Sequence, residues 1–299
     1  MAVTFTEHAF TFACDGESLL GIIAEPAQSK PTGVLVVVGG PQYRVGSHRQ
    51  FLLLARALAK AGYPVMRFDS SGMGDSTGEL RSFETINGNI AAAISAFQKQ
   101  CPAIESIVLW GLCDAASASL LYIEASQDSR LSGLVLLNPW VRSETTLARA
   151  HIKHYYGQRL LEAQFWRKLL TGQVRVDRAV ADFIRNWMRA QKNSSQAVVG
   201  ARLSFPQKMA RGLDGFAWPV LLILSGNDYT AKEFLDVIQT DPVWSGALAR
   251  STVTRTTLEG ADHTFSSAEF RKKVEQITLQ WLETVNTRSN IPTEKASTQ

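Results

Sequence analysis

Apolar residues recur along this chain at two periods, and the places where the period changes mark out its elements. Near the start, Phe10, Phe12 and Cys14 alternate with polar or small residues, Asp15-Gly16 supplies turn chemistry, and Leu19 to Ala24 forms a second run. This pattern predicts a β-hairpin. Beyond Pro31 the alternation gives way to short continuous runs rich in aliphatic and β-branched residues: Val34 to Val38, Val65 to Phe68, Ile107 to Trp110, Leu134 to Leu137, Val220 to Leu224 and Val253 to Leu258. Strands covered on both faces require such runs. Between them the apolar positions take a helical spacing, over Phe51 to Ala61, Phe83 to Gln98, Cys113 to Ala125, Ala231 to Ile238 and Phe270 to Val285. Strand and helix in alternation predict an α/β fold: a mostly parallel twisted sheet with helices on both faces and right-handed crossovers.

One interval breaks the rhythm. From residue 140 to residue 216 no strand-like run occurs, only amphipathic helical stretches such as Phe165 to Leu170 and Ala181 to Met188. An insertion between two sheet strands emerges at their carboxyl ends, where open α/β sheets place ligands, so this segment reads as a helical cap or lid. Residues 1–139 and 217–285 then form the core, and the polar stretch 286–299, which contains Pro292, reads as a disordered tail. The lid's aromatic residues, Tyr155, Tyr156, Phe165, Trp166, Phe183 and Trp187, fit either docking on the core or lining an acyl pocket.

Charge separates the same interval from the rest. The whole chain carries +4, but residues 141–215 hold 14 Lys and Arg against 5 Asp and Glu, so the segment is at +9 and the remainder at −5. A solvated helical face accounts for this; so does attraction of an anionic substrate, carrier or surface. No nucleic-acid-binding motif accompanies the charge, which argues against nucleic acid as a partner. The opening residues lack a basic region followed by an apolar core, and no apolar run approaches the ~18 residues of a membrane span, so a soluble, cytoplasmic protein with no integral membrane segment is expected. Three cysteines, Cys14, Cys101 and Cys113, make no disulfide framework and leave Cys113 free to react. Oligomeric state has no signature in the sequence.

Gly111-Leu112-Cys113-Asp114-Ala115 sits where a buried strand turns into a helix rich in small residues. A nucleophile on such a turn needs tiny residues two before and two after it, and Gly111 and Ala115 meet that need. The helix N-terminus also favours a thiolate at Cys113. A cysteine nucleophile requires a base, and the base an orienting acid. Asp228 lies just past the strand Val220 to Leu224, and His263 in the loop before the last helix. Nucleophile, acid and histidine appear in the order Cys113, Asp228, His263; Asp262, adjacent to His263, is a poor rival for the acid.

Acyl chemistry also needs oxyanion donors: the amide of Asp114, directly after the nucleophile, and that of Gln42 in the turn Gly39-Gly40-Pro41-Gln42, since Pro41 has none. Gly40, Arg44, His48 and Trp140 are candidate substrate-binding residues around these loops, with Arg44 and His48 suited to an anionic group. No stretch has the spacing of a P-loop, a dinucleotide fingerprint or a metal site, so neither metal nor cofactor is expected.

With these residues the chain resembles the α/β-hydrolase superfamily over nearly its whole length, and Arg67-Phe68-Asp69-Ser70-Ser71-Gly72-Met73-Gly74-Asp75-Ser76 is similar to a glycine-rich turn those enzymes carry after an early strand. It departs from them in having Cys113 for serine and Ala115 for the second elbow glycine. More narrowly, residues 39–49 and the Gly-x-Cys-Asp elbow resemble the exosortase A system-associated hydrolase 1 family, which implies a bacterial setting near exopolysaccharide and protein-sorting functions. The expected activity is hydrolysis of an ester, thioester or lactone in a small-molecule or carrier-linked acyl substrate. Two alternatives use the same scaffold: acyl transfer from a Cys113 acyl-enzyme, and non-catalytic binding.

Overall fold

The structure is a computed structural model and describes residues 4–40, 42–142 and 203–289. Strands β1 (Phe5–Cys14) and β2 (Glu17–Pro26) form the hairpin, with Cys14 opposite Glu17. Asp15 and Gly16 both have positive φ, 51° and 84°, as the tight two-residue turn of a twisted hairpin requires. β3 (Thr32–Val37), β4 (Val65–Phe68), β5 (Ser106–Leu112), β6 (Leu131–Leu137), β7 (Val220–Ser225) and β8 (Val253–Leu258) follow. They assemble in the order β1-β2-β4-β3-β5-β6-β7-β8, antiparallel between β1, β2 and β4 and parallel from there on.

Helices cover both faces. On one lie α1 (Gln50–Lys60) and α7 (Ala268–Ser289), which bury Phe51, Leu54, Leu58, Trp281 and Leu282 against the sheet. On the other lie α2 (Asn87–Gln100), α3 (Asp114–Ser126), α4 (Phe205–Gly215), α5 (Tyr229–Thr240) and α6 (Pro242–Leu248). Every residue of β3, β4, β6 and β7 is buried, which is why those strands read as largely apolar runs, Arg67 of β4 being the charged exception, paired with Glu7. β8 differs. As an edge strand it keeps Thr254, Arg255 and Thr257 exposed, so it is not covered on both faces.

Several boundaries depart from the sequence reading. The period from Phe83 divides into a 3₁₀ turn (Phe83–Thr85), capped by the Ser82 hydroxyl, and then α2. α6 was not foreseen: Asp241 caps it and Pro242 occupies its first turn, a start signal too short to show as a periodic run. The compact core takes in Phe205–Gly215, placed above in the inserted segment, and the second compact unit is Arg142–Ser204. The reason is α4's apolar stripe of Met209, Ala210 and Leu213, buried in the core, and Gly212, where an added Cβ would run into the Leu120 carbonyl of α3. At the other end, α7 runs to Ser289 rather than stopping at Val285, since no glycine or proline precedes Pro292 to break it. The aromatic residues expected in the lid and the tail beyond residue 289 lie outside the described residues.

Candidate active site

The carboxyl ends of β3, β5, β6, β7 and β8 bring the site together. β5 ends at Leu112, and Cys113 turns the chain into α3 with φ 61° and ψ −123°, a conformation costly for a residue with a Cβ. Local bonds hold it there. The Cys113 amide donates to the Leu137 carbonyl at 2.8 Å, and its own carbonyl accepts from the amides of Ala116, Ser117 and Trp140. The turn depends on Gly111: a Cβ there would lie 2.7 Å from the Ala115 carbonyl group. The helical period expected from Cys113 therefore starts one residue later, with Cys113 as the cap.

Asp228 caps α5, accepting from the amides of Thr230 and Ala231 at 3.1 Å each, and its Oδ2 lies 2.8 Å from Nδ1 of His263. Burial pushes the Asp228 carboxyl up, but the histidine's hydrogen bond and charge and the two amides outweigh it and leave it below its ordinary value. The hydrogen bond to Asp228 and the neighbouring Cys113 side chain overcome the desolvation of His263 and push its pKa up to about 10. An imidazolium between a carboxylate and a sulfur is the outcome at neutral pH. Asp262 spends its carboxylate on the amide and hydroxyl of Ser266.

Two residues that position His263 have only a faint signature in the sequence. Asn138, fully buried at the end of β6, donates from Nδ2 to the Ser225 hydroxyl at 2.8 Å and to the His263 carbonyl at 3.0 Å, while its Oδ1 accepts from the Ser225 amide. The Ser225 hydroxyl in turn donates to the Asp262 carbonyl at 2.8 Å. The ends of β6 and β7 are thus tied to the histidine loop. Asn138 has φ 43°, and an asparagine between a strand and Pro139 was the available hint.

Gln42, Asp114 and Trp140 line one cavity of about 390 Å³ together with Gly39, Gly40, Cys113 and His263. Asp114 does more than offer an amide. Its Oδ2 accepts from the Gly40 amide at 2.6 Å, and the amides of Ala115 and of Asp114 itself also face the carboxylate. Burial raises the Asp114 pKa in spite of these donors. The Gly40 amide is therefore taken. Gln42 folds its loop by accepting from the Ser47 amide through Oε1 at 3.3 Å.

Arg44 and His48 do not fall among the described residues lining this cavity. The Arg44 guanidinium is paired with the buried Asp69 and, at 2.6 Å, with Asp75, and its amide donates to Asp69 at 2.7 Å. It ties the loop after β3 to the glycine-rich turn after β4 rather than facing the cavity. His48 sits in the 3₁₀ turn Ser47–Arg49 with φ 53°. Among the described residues no group of three or more His, Cys, Asp or Glu is arranged to hold a metal ion, and no helix is long and apolar enough to cross a membrane.

An eight-stranded, mostly parallel sheet, sandwiched by helices, with an elbow cysteine after β5 and a histidine loop after its last strand, is the α/β-hydrolase fold. Residues 29–259 match the family model Hydrolase_4, described as serine aminopeptidase, S33, and the chain belongs to that family. Among solved structures it is similar to the Pyrococcus furiosus esterase Pf2001, with TM-score 0.62 and 16% identity over 94% of this chain and 93% of that one. It is also similar to Est1E of Butyrivibrio proteoclasticus, solved with ferulic acid bound, with TM-score 0.59 and 13% identity over 93% and 99% of the two chains. An α/β serine hydrolase homologue from Coxiella burnetii matches at TM-score 0.57 and 15% identity over 92% and 97%. At these identities the likeness is one of fold. No curated protein matches the chain significantly.

Proposed function

We propose that this protein hydrolyses a carboxylic ester or thioester through a covalent acyl-enzyme on Cys113. The observation that carries the reading is that His263, bonded to Asp228 through Nδ1, lines one cavity with Cys113 and is charge-stabilised by both. The Cys113 thiolate attacks the substrate carbonyl, and the resulting oxyanion is held by the amides of Gln42 and Asp114, the latter turning to it from its own carboxylate, which keeps the amides of Gly40 and Ala115. As the tetrahedral intermediate collapses, the imidazolium of His263 gives its proton to the leaving oxygen or sulfur and a thioester acyl-enzyme remains. Neutral His263 then takes a proton from water as it attacks that thioester. The acid leaves, and thiolate and imidazolium are restored. Asp228 keeps the ring in the tautomer and orientation both steps need.

Because a thioester is also a good donor to amines and hydroxyls, acyl transfer is the second reading, and it is favoured by the same cysteine. Product analysis with and without an alcohol or amine acceptor separates them: label found only in free acid rejects transfer. A binding protein without chemistry would leave Cys113 inert to iodoacetamide near neutral pH. The motif at residues 39–49 supports a role beside bacterial exopolysaccharide and protein-sorting systems, and the basic segment between β6 and β7 supports a lid that favours an anionic or carrier-linked acyl group. The test of the hydrolase reading is turnover of acyl esters and acyl thioesters by wild type and Cys113→Ala, with the fold checked by circular dichroism. A loss of roughly 10⁴-fold or more is expected, and equal turnover by the variant would sink the reading.

A further inference from the structure

The described residues between β3 and the 3₁₀ turn Ser47–Arg49 lie in no helix or strand, yet this loop carries Gln42, whose amide must stand at a fixed distance from the elbow. Two carboxylates pin it, one on either side of Gln42. The Gly40 amide donates to Asp114 Oδ2 at 2.6 Å, and the Arg44 amide donates to Asp69 Oδ1 at 2.7 Å. Each pin is two residues from Gln42. The Arg44 end is held further by its guanidinium on the fully buried Asp69 and by its carbonyl, which accepts from Arg67 at 2.9 Å. At the Gly40 end the tether is the Asp114 side chain.

An acidic residue in the first turn of a helix ordinarily serves that helix's own amides. The Asp114 carboxylate faces the amides of Asp114 and Ala115 in that way, but it also reaches Gly40, 74 residues away in sequence. The loop is shaped to receive it. A Cβ on Gly39 would collide with the carboxylate and lie 2.6 Å from the Ala115 nitrogen, and Gly40 turns with φ 61°. We propose that the Asp114 side chain is a positioning residue: by tethering Gly40 it sets the Gln42 amide against the elbow amide, so that the two converge on one oxyanion. The inference rests on the hydrolase reading for the reaction it serves. The carboxylate takes no proton and forms no bond to the substrate; it fixes the distance between two donors.

Two reactions of Cys113 separate this role from general support of the fold. Iodoacetamide alkylates the thiolate by displacing iodide from a saturated carbon and builds no oxyanion, whereas hydrolysis of 4-nitrophenyl acetate passes through one. Asp114→Ala is expected to lower kcat for the ester about a hundredfold, as loss of one oxyanion donor does, with KM within about threefold of wild type. Alkylation of Cys113 in the same variant should run at least about a third as fast as in wild type. Asp114→Asn, which keeps an acceptor for one amide and turns an amino group on the other, should fall between in kcat. Without any turnover, hydrogen exchange at the Gly40 amide, read by mass spectrometry on a peptide spanning residues 39–49, should be about tenfold faster in Asp114→Ala. Ester hydrolysis equal to wild type, an alkylation rate that falls as far as kcat, or unchanged exchange at Gly40 would each overturn the proposal. Failure of wild type itself to hydrolyse acyl esters would instead remove the hydrolase reading, and the exchange rates would still decide whether Asp114 tethers the loop.

Discussion

His263 holds its charge through its bond to Asp228 and the Cys113 side chain beside it, and the pH dependence follows from that. His263 is lifted from its ordinary 6.5 to about 10, so the stability it lends is complete below 6.5 and is lost as pH rises through about 10. Asp228 is lowered, so its contribution is present above the ordinary carboxylate range and disappears as pH falls through its lower folded value. The difference in thermal midpoint between wild type and Asp228→Asn is therefore expected to be largest near pH 5 to 6.5 and to shrink toward about pH 10, as followed by calorimetry in buffers spanning that range. A difference that grows with pH above 7 would contradict the assignment. Asn138 belongs to the same scale. It touches no substrate but holds the His263 carbonyl and Ser225, so Asn138→Ala is expected to lower kcat by about a hundredfold with little change in KM. Asn138→Asp, which keeps an acceptor for the Ser225 amide and loses the donor, should fall between, and stopped-flow acylation rates separate this from a general loss of fold.

At the scale of elements, close approach sets what the chain tolerates. α3 meets β5 at Gly111 and α4 at Gly212, and both contacts are backbone on backbone. Gly212→Val is expected to cost about 1–3 kcal/mol in denaturant unfolding, because α4 must lift from α3. Unchanged stability would mean that α4 is not part of the core. The same contrast explains what could be read from residues alone. β4 and β8 match their apolar runs residue for residue, and the elbow was legible because a nucleophile turn demands small neighbours at fixed offsets. α6 was hidden by its length of seven residues, and α4 by its place after a long helical interval, where nothing in the period tells a core helix from an inserted one. Arg44 illustrates the converse. A basic residue in a ligand loop reads as an anion receptor until the fold puts Asp69 and Asp75 beside it, a pairing across 25 residues of sequence that no local pattern announces.

For the whole molecule, the sheet order puts five strand ends around one site, and charge is unevenly divided along the sequence. Residues 141–215 carry +9 against −5 elsewhere, so if that charge steers substrate, kcat/KM for an anionic acyl ester should fall as salt rises from low to moderate concentration. A neutral ester of the same acyl group should show no such slope, and identical slopes would reduce the charge to a solvated surface. The family model is described as serine aminopeptidase, and this chain has cysteine at the elbow, beside a histidine whose pKa is pushed up to about 10. The central claim is that the cysteine carries the acyl group, and intact-mass spectrometry after brief mixing with an octanoyl thioester and acid quench tests it most directly. Wild type is expected to gain the mass of one octanoyl group, mapped to Cys113 by peptide sequencing and absent from Cys113→Ala. Turnover without any adduct on Cys113, or an adduct that persists in the alanine variant, would contradict it.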